Sequence, residues 1–315
     1  MNRTITLICL VTCFSAHAQI TEAFYSYNWK PCASEEARFY STIEKTDSGW
    51  LRNDYFIGTK SLQMRALYED KDCRIKNGHC LYVYANGMPE AIGQFVHGKE
   101  EGVYMRFYSN GMIADSAYYH NGRPVGNHLS WHRNGFISDS VSHVNDSMDV
   151  SVSWFDNGAF ASAGFLLNGK NNGKWKYYHH NGNISEEAIY KNGIVLSKSY
   201  FDEQGNLQAD TATARRETFF KNGTNPWQTY LAKNLYWPHN LEFKNGSTAV
   251  VMVQFTINEQ GKIEDEEILV PFHPEFDKIV LKVIHNSPAW TPAVAHNRKV
   301  KTVIRQPVNF TQAED

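Results

Sequence analysis

Histidines are the first side chains in this sequence whose spacing could support chemistry. His97, His120 and His143 recur at intervals of 23 residues. Imidazoles at equivalent positions of a stacked repeat would form a column, and such a column can bind zinc or copper. The other interpretation is three solvated histidines beside turns. We prefer it and predict no metal, with these three histidines as the candidates if one is bound.

Motifs for enzymatic catalysis are absent from the chain. The sequence contains no Gly-x-Ser-x-Gly elbow, no glycine-rich phosphate loop and no His-Glu-x-x-His pair. The acidic run Glu264–Glu267 alternates along a predicted strand and is interpreted as a solvated face. We therefore predict a protein that is not an enzyme and uses no cofactor.

Cysteines are few, and three of them lie after the predicted signal peptide. Cys73 and Cys80 flank the sequence RIKNGH, so a disulfide across a hairpin is the predicted pairing. Cys32 bonded to either partner is the alternative, and three thiols leave one unpaired. Metal binding by these cysteines is disfavoured because no two of them have the close spacing of a zinc site.

The N-terminus has the pattern of a secretory signal peptide. Arg3 precedes an apolar run over residues 5–14, and Ala16-His17-Ala18 forms a small-x-small cleavage site. The run is shorter than the about 20 residues that span a bilayer. We expect cleavage after Ala18 and a periplasmic or secreted protein without a membrane span. A lipoprotein signal built on Cys13 is the alternative.

The charge of the chain argues against a nucleic-acid partner. Its 315 residues carry a formal net charge of -2, whereas nucleic-acid-binding domains are strongly basic.

Six decamers that each end in glycine repeat along the first two thirds of the sequence. Their starts step by 24, 24, 23, 24 and 23 residues. Most end in Asn-Gly, the strongest short signal for a tight turn. They are GHCLYVYANG (78–87), GVYMRFYSNG (102–111), GNHLSWHRNG (126–135), DVSVSWFDNG (149–158), GKWKYYHHNG (173–182) and LSKSYFDEQG (196–205).

A second series of turn signals lies between the decamers, as at Asn121-Gly122 and Asn192-Gly193. Two turns in each period of 23–24 residues predict a stack of β-hairpins that pair edge to edge. The sixth position of every decamer is apolar, and we expect these side chains to form a buried column. They are Val83, Phe107, Trp131, Trp154, Tyr178 and Phe201.

These decamers, with their glycine, central aromatics and terminal Asn-Gly, resemble MORN-type repeats in the variant of antitoxin-like and envelope proteins. The resemblance covers about residues 47–208. It implies a scaffold or binding surface rather than an enzyme.

The pattern changes to a small α+β module after about residue 208. TAVVMVQFTI (248–257) and KIEDEEILV (262–270) predict two strands. Pro274 opens a helix, and a last strand is predicted over residues 299–310. Five apolar residues of the helix share one face and are predicted to be buried: Phe276, Ile279, Val280, Val283 and Ile284.

This module resembles the TonB C-terminal domain over about residues 228–311. The resemblance rests on Tyr236 to Pro238, the hairpin VQFTINEQGKI, the segment SPAWTPA after the helix, and the closing QPVNF. The chain lacks the anchoring helix and the long proline-rich spacer of an energy-transducing TonB. The resemblance implies a ββαβ fold that binds a peptide strand.

The predicted fold class is mainly β with a C-terminal α+β module, that is, a MORN-like β-hairpin stack followed by a TonB-like ββαβ domain. The predicted division is a signal peptide (1–18), an N-terminal segment (19–46), repeats (47–208), a linker (209–227) and the TonB-like domain (228–315).

The candidate partner-binding site is an edge strand in KVKTVIRQ (299–306). Its residues alternate between apolar and polar, and lysines commonly guard an open edge. The candidate residues are Lys299, Val300, Lys301, Thr302, Val303, Ile304 and Arg305.

We expect this strand to bind a protein or extended peptide at the cell envelope, by strand addition. An energy-transducer-type component that contacts an outer-membrane receptor through the same edge is the alternative. Pairing with a second copy of the chain, giving a homodimer, would compete for the edge.

The cleavage site can be tested directly. We expect the mature protein to begin at Gln19, because Ala16 and Ala18 have the small side chains that the cleaving enzyme requires. Intact-mass measurement of the exported protein checks this, and a lipidated Cys13 or a retained Met1 would contradict it.

Overall fold

The computed structural model describes residues 21–145, 147–209, 214–220, 224–239, 241 and 248–312. The predicted signal peptide lies outside the described residues. Within them, no helix combines the length and the apolarity needed to cross a membrane.

The first part of the described chain is a series of strands. They are β1 (Thr21–Tyr25), β2 (Phe39–Thr46), β3 (Gly49–Phe56), β4 (Leu62–Tyr68), β5 (Lys76–Val83), β6 (Pro89–Val96), β7 (Lys99–Phe107), β8 (Ile113–His120), β9 (Arg123–Trp131), β10 (Ile137–His143), β11 (Met148–Trp154), β12 (Phe160–Leu167), β13 (Lys170–Tyr178), β14 (Ile184–Lys191), β15 (Ile194–Phe201) and β16 (Leu207–Gln208).

Helices appear only after these strands in the described chain. The later elements are β17 (Phe219–Phe220), α1 (Thr224–Asn234), β18 (Thr248–Ile257), β19 (Ile263–Val270), α2 (Pro274–His285), β20 (Trp290–Thr291), β21 (Ala293–Ala295), β22 (Arg298–Val300) and β23 (Thr302–Thr311).

Strands β1 to β16 form one antiparallel sheet in strict chain order. Each strand pairs with the one before it and the one after it, so every contact between neighbours is a hairpin. The repeat of two strands per 23–24 residues that the sequence predicted is therefore confirmed. The predicted N-terminal segment contributes β1 and β2 to the same sheet.

The two series of turns differ in backbone conformation. In the second series both central residues have positive φ, as at Asn192 (51°) and Gly193 (82°), which is the turn that Asn-Gly favours. At the decamer ends only the glycine has positive φ, as in Gly87 at 85°. Asn-Gly thus forms the turn with two positive φ angles in the second series, but not at the decamer ends.

Asparagines at the decamer ends instead connect successive repeats. The Asn86 side chain donates to the carbonyl of Ser109 at 2.8 Å, and Asn134 donates to Asp156 at 2.7 Å. Tyr84, two positions before Asn86, makes a similar link, because its hydroxyl donates to the Phe107 carbonyl at 2.8 Å. These side chains thus link each decamer end to the next repeat.

Large side chains lie over glycines on one face of the sheet. A Cβ at Gly93 would lie 2.2 Å from the Tyr104 ring, and a Cβ at Gly164 would lie 2.2 Å from the Trp175 ring. Only glycine lets an aromatic ring approach the neighbouring strand so closely. Trp175 is accordingly buried, with 5% of its surface exposed.

The column predicted at the sixth decamer position is not buried. Trp131 and Trp154, like the other four residues of that series, are only half-buried. Side chains alternate between the faces of a strand, and the sixth position points away from the face that carries Trp175. The expectation of a buried column there is wrong, because the tighter packing formed on the opposite face.

The C-terminal module has the predicted α+β fold. Its three-stranded sheet has the order β19-β18-β23, and α2 packs on it. The five helix residues predicted to be buried are the ones that the structure buries. The predicted fold class, mainly β with this module at the end, is confirmed.

Aromatic residues before β18 complete the core of the module. Phe220 and Trp227 pack with Trp290, with ring centroids 5.0–5.3 Å apart. Phe220 and Trp227 come from the segment 209–227, which was predicted to be a linker. The exact division into domains stays a prediction.

The choice of buried face can be tested with two tryptophans. Trp175→Ala should lower the free energy of unfolding by about 3–5 kcal/mol, the cost of deleting a large core aromatic. Trp131→Ala is the matched control on the other face and should cost about 1 kcal/mol. Urea unfolding measures both, and equal losses would contradict the assignment of faces.

Candidate functional site

The predicted edge strand falls on two elements of the structure. Lys299 and Val300 pair with β21 in a short hairpin, as in Val300 with Ala293. Thr302 to Arg305 begin β23, which pairs with β18 over its whole length. Val303 keeps 59% of its surface exposed. Only residues 302–305 of the candidate site therefore belong to the three-stranded sheet of the C-terminal module.

The outer side of β23 has no pairing strand among the described residues. Pro307 pairs with Met252 of β18, and proline has no N–H to donate to that neighbour. Backbone groups of an antiparallel strand alternate between its two sides. Val303 and Arg305, at two-residue steps from Pro307, therefore direct their N–H and C=O groups outward.

A groove of about 470 Å³ runs beside the second half of this edge. Its one wall is β23 around Pro307 and Asn309, and its other wall is α1 with the segment that follows it. Leu231 and Leu235 supply apolar surface there, and Tyr236 is 53% exposed. A volume of this size is typical of a ligand site, and it has room for a few residues of an extended chain.

Lys301 does not guard the edge as expected. Its ammonium lies 2.5 Å from a carboxylate oxygen of Glu264 and 2.9 Å from one of Asp156 on the repeat sheet. Burial alone would lower the pKa of Lys301, but the hydrogen bonds to both carboxylates outweigh it and raise the pKa. Lys301, which directly precedes β23, therefore forms ion pairs with both β19 and the repeat sheet.

The hairpin β21–β22 contacts the repeat sheet through its side chains. Arg298 donates from Nη1 to the carbonyl of Ala161 at 2.5 Å and to that of Tyr178, and its guanidinium lies 4.8 Å from the Phe155 ring centroid. Burial lowers the pKa of Arg298 to about 10. The side chain thus joins two successive repeats to the C-terminal module.

Glu186 is the buried acceptor at the centre of the same contact. It is 1% exposed, and its carboxylate lies 3.1 Å from His296 and 3.2 Å from Lys198. The His296 ring also stacks on Tyr177, with centroids 3.5 Å apart. Burial would raise the pKa of Glu186, but the hydrogen bond to His296 and the nearby positive charges hold it below its usual value.

The acidic run of β19 is a docking surface rather than a solvated face. Glu267 accepts from Arg133 Nη2 at 2.7 Å and contacts Ser109 Oγ, both on decamer turns of the repeats. Glu266 pairs with His285 of α2 at 2.9 Å. The interpretation of this run as solvated is corrected, since Glu264, Glu266 and Glu267 are half-buried.

The three repeating histidines do not share a site. His97 contacts Glu69, His120 lies 2.9 Å from Glu101, and His143 lies 2.5 Å from Asp149. Within the described residues, no three side chains of histidine, cysteine, aspartate or glutamate come together to hold a metal.

Cys32, Cys73 and Cys80 are free thiols in this structure. Cys73 packs against the core cluster that contains Cys80. Burial raises the pKa of Cys73 to about 11 and also raises that of Cys80. The disulfide between them stays a prediction.

Two segments of the chain match known protein families. Residues 234–311 match the model described as Gram-negative bacterial TonB protein C-terminal, and residues 171–192 match the MORN repeat variant. A search of the curated proteins finds no match. The resemblances to both families are thereby confirmed. The TonB-like domain links the chain in general terms to the cell envelope and TonB-dependent transport, and neither family is enzymatic.

The buried position of Glu186 predicts how the stability of the protein depends on pH. The folded pKa of this carboxyl is lowered, so its contribution is present above the ordinary value near 4.5 and is lost as the pH falls through the folded pKa. Glu186→Gln should therefore cost about 1–3 kcal/mol of unfolding free energy at neutral pH, and less in acid.

Glu187→Gln is the control, since Glu187 pairs with Lys174 at 2.9 Å on the other face of β14. An exposed pair of this kind contributes about 0–1 kcal/mol. Denaturant unfolding at neutral and acidic pH measures both variants. An equal and pH-independent effect of the two would show that Glu186 has no special role.

Proposed function

We propose that this chain is a periplasmic or secreted envelope protein that binds an extended segment of a partner protein by strand addition to the outer edge of β23. The observation that carries the proposal is the open edge of a domain that matches the TonB C-terminal family. The match supports an envelope role in general, and the edge supports the mode of binding.

The main chain of β23 supplies the recognition groups. Val303 and Arg305 each present one outward N–H and one outward C=O, which is the pattern that a partner strand pairs with. Pro307 offers a carbonyl but no donor, and Gln306 Nε2 already donates to that carbonyl at 2.8 Å. The partner strand therefore pairs best around residues 303–305.

Side chains of the groove provide selectivity further along the edge. Leu231 and Leu235 of the α1 wall are apolar, and Tyr236 presents a ring to solvent. Apolar side chains of the partner would bury their surface there, at about 25 cal/mol for each Å² removed from water. The preferred partner is an extended segment with apolar residues after its paired part.

An energy-transducer-type component is the second candidate function, and the TonB family match favours it. In that role the same edge would pair with an extended segment of an outer-membrane receptor. The two functions differ in anchoring. An inner-membrane location with the signal peptide uncleaved would favour the transducer, whereas a released mature protein favours the envelope binding protein.

Val303→Pro tests the edge. It removes one outward donor and places a ring in the path of the partner strand, while the hydrogen bonds from β23 to β18 remain. We expect partner affinity to fall by about tenfold or more, because one such bond contributes about 1 kcal/mol and the ring adds a clash. The measurement is quantitative capture of envelope proteins from a Gram-negative extract on the immobilised mature chain.

Val303→Ala is the matched control, since it shortens the side chain and keeps the N–H. Proteins captured by the wild type and by Val303→Ala but lost with Val303→Pro support the proposal. Melting curves establish that all three variants are folded. A folded Val303→Pro variant that keeps every partner would exclude this edge.

A further inference from the structure

A cavity of about 250 Å³ lies between the C-terminal module and the repeat sheet. Its wall on the module side includes Gln254 and Arg305, which lie on the face of the three-stranded sheet opposite α2. Its wall on the repeat side includes Glu90 and Arg106. The volume is below the about 300–1,000 Å³ of sites for drug-sized ligands. A ligand that fills this cavity is therefore a small molecule.

Three charged side chains of the cavity form no ion pair within the described chain: Glu90, Arg106 and Arg305. Glu90 is half-buried and makes no hydrogen bond there either. Burial raises the pKa of Glu90, and the guanidiniums of Arg106 and Arg305 lower it only in part. A charge removed from water without a partner is unfavourable. The cavity thus brings one unpaired carboxylate near two unpaired guanidiniums.

A chain of hydrogen bonds holds the Arg305 side chain in this position. Its Nε donates to Gln254 Oε1 at 2.8 Å, and Gln254 Nε2 donates to Glu267 at 2.9 Å. Glu267 in turn accepts from Arg133 Nη2 at 2.7 Å. The two Nη groups of Arg305 have no such partner in the described part of the chain. They can therefore pair with a carboxylate through two parallel hydrogen bonds, for which the guanidinium has the right shape.

Arg106 is the second guanidinium that a ligand could reach. The residue opposite it on β8 is Asp115, but that carboxylate is bonded to His128 at 2.5 Å and to Ser130 at 3.0 Å. Asp115 therefore does not take Arg106 as its partner. Arg106 is exposed, so a ligand can enter the cavity from solvent beside it.

The other end of the cavity is aromatic. Trp29, Phe39 and Phe56 line it. The Trp29 ring stacks on Phe39 with centroids 4.1 Å apart, and 39% of the Trp29 surface stays exposed. Its φ is 60°, which is rare for a bulky residue and is typical of functional sites. Trp29 therefore offers its exposed surface to an apolar group of a ligand.

We propose that this cavity binds a free α-amino acid with an aromatic or large aliphatic side chain. The carboxylate pairs with Arg106 and Arg305, and the ammonium pairs with Glu90. The side chain packs against Trp29 at the aromatic end. Each unpaired charge of the cavity then has a partner of opposite sign. The C-terminal residue of a peptide offers the same carboxylate and side chain, but it lacks the ammonium that would pair with Glu90.

Isothermal titration calorimetry on the mature full-length chain tests the proposal, with L-phenylalanine and L-leucine as probes. Two analogues serve for comparison. L-phenylalaninamide lacks the carboxylate, and N-acetyl-L-phenylalanine lacks the ammonium and imitates the end of a peptide. We expect each analogue to bind about tenfold or more weakly than L-phenylalanine, because each loses a charge-assisted hydrogen bond.

Two variants assign the binding to this cavity. Arg106→Gln and Glu90→Gln should each weaken the binding of L-phenylalanine by about tenfold or more. Neither side chain has an ion pair to lose in the described structure, so both variants should stay folded. Arg123→Gln is the matched control, because Arg123 is exposed at the start of β9 and does not line the cavity. Circular dichroism melting checks the fold of all three.

No heat of binding with either amino acid up to millimolar concentration would overturn the proposal. Equal binding of N-acetyl-L-phenylalanine and L-phenylalanine would also overturn it, because the ligand would then be a peptide end rather than a free amino acid. If folded Arg106→Gln and Glu90→Gln variants bind like the wild type, the amino acid binds elsewhere and this cavity is excluded.

Discussion

Edge-to-edge hydrogen bonding between consecutive hairpins is the constraint on which the rest of this structure depends. A hairpin of this size buries too little apolar surface to be stable alone, so each one is held by its neighbours. Register is fixed by turns in which glycine adopts positive φ, such as Gly193 at 82°. A slip by one residue would turn the Trp175 face outward. Turns, aromatic residues and glycines therefore recur together every 23–24 residues.

The C-terminal module depends on that period for its position. Its contacts run along the repeats, from Val270 packed with Phe39 and Phe56, through Glu267 on Arg133, to Arg298 on the carbonyls of Ala161 and Tyr178. These groups contact successive parts of the sheet. The module is thus oriented by several repeats at once, with β19 and the β21–β22 hairpin towards the sheet. Strand β23 keeps its outer side open within the described chain.

Side chains limit what can pair with the edge of β23, which is open within the described chain. Pro307 offers no N–H donor, and Arg305 carries a charge. Main-chain groups would set the mode of pairing. Under the proposed function, this edge therefore accepts a short extended segment beside the apolar groove.

Local patterns in the sequence determined much of the fold. The period and its glycines predicted the hairpin stack, because turn conformation is decided within a few residues. The helical periodicity of residues 276–284 predicted the buried face of α2, and the segment from Tyr236 to QPVNF predicted the TonB-like module. The candidate edge residues from Thr302 onward lie at the start of β23, and their role in binding stays a prediction. These features needed no knowledge of distant contacts.

Only the tertiary structure decided which side chains of those elements are buried and paired. Both faces of the repeat strands carry aromatics, so the sequence alone could not choose between Trp131 and Trp175; glycine opposite Trp175 made that face the denser one. Glu186 and His296 are 110 residues apart, and Arg298 is 137 residues from Ala161. Such contacts leave no local pattern, because their energies arise only when folding removes both groups from water.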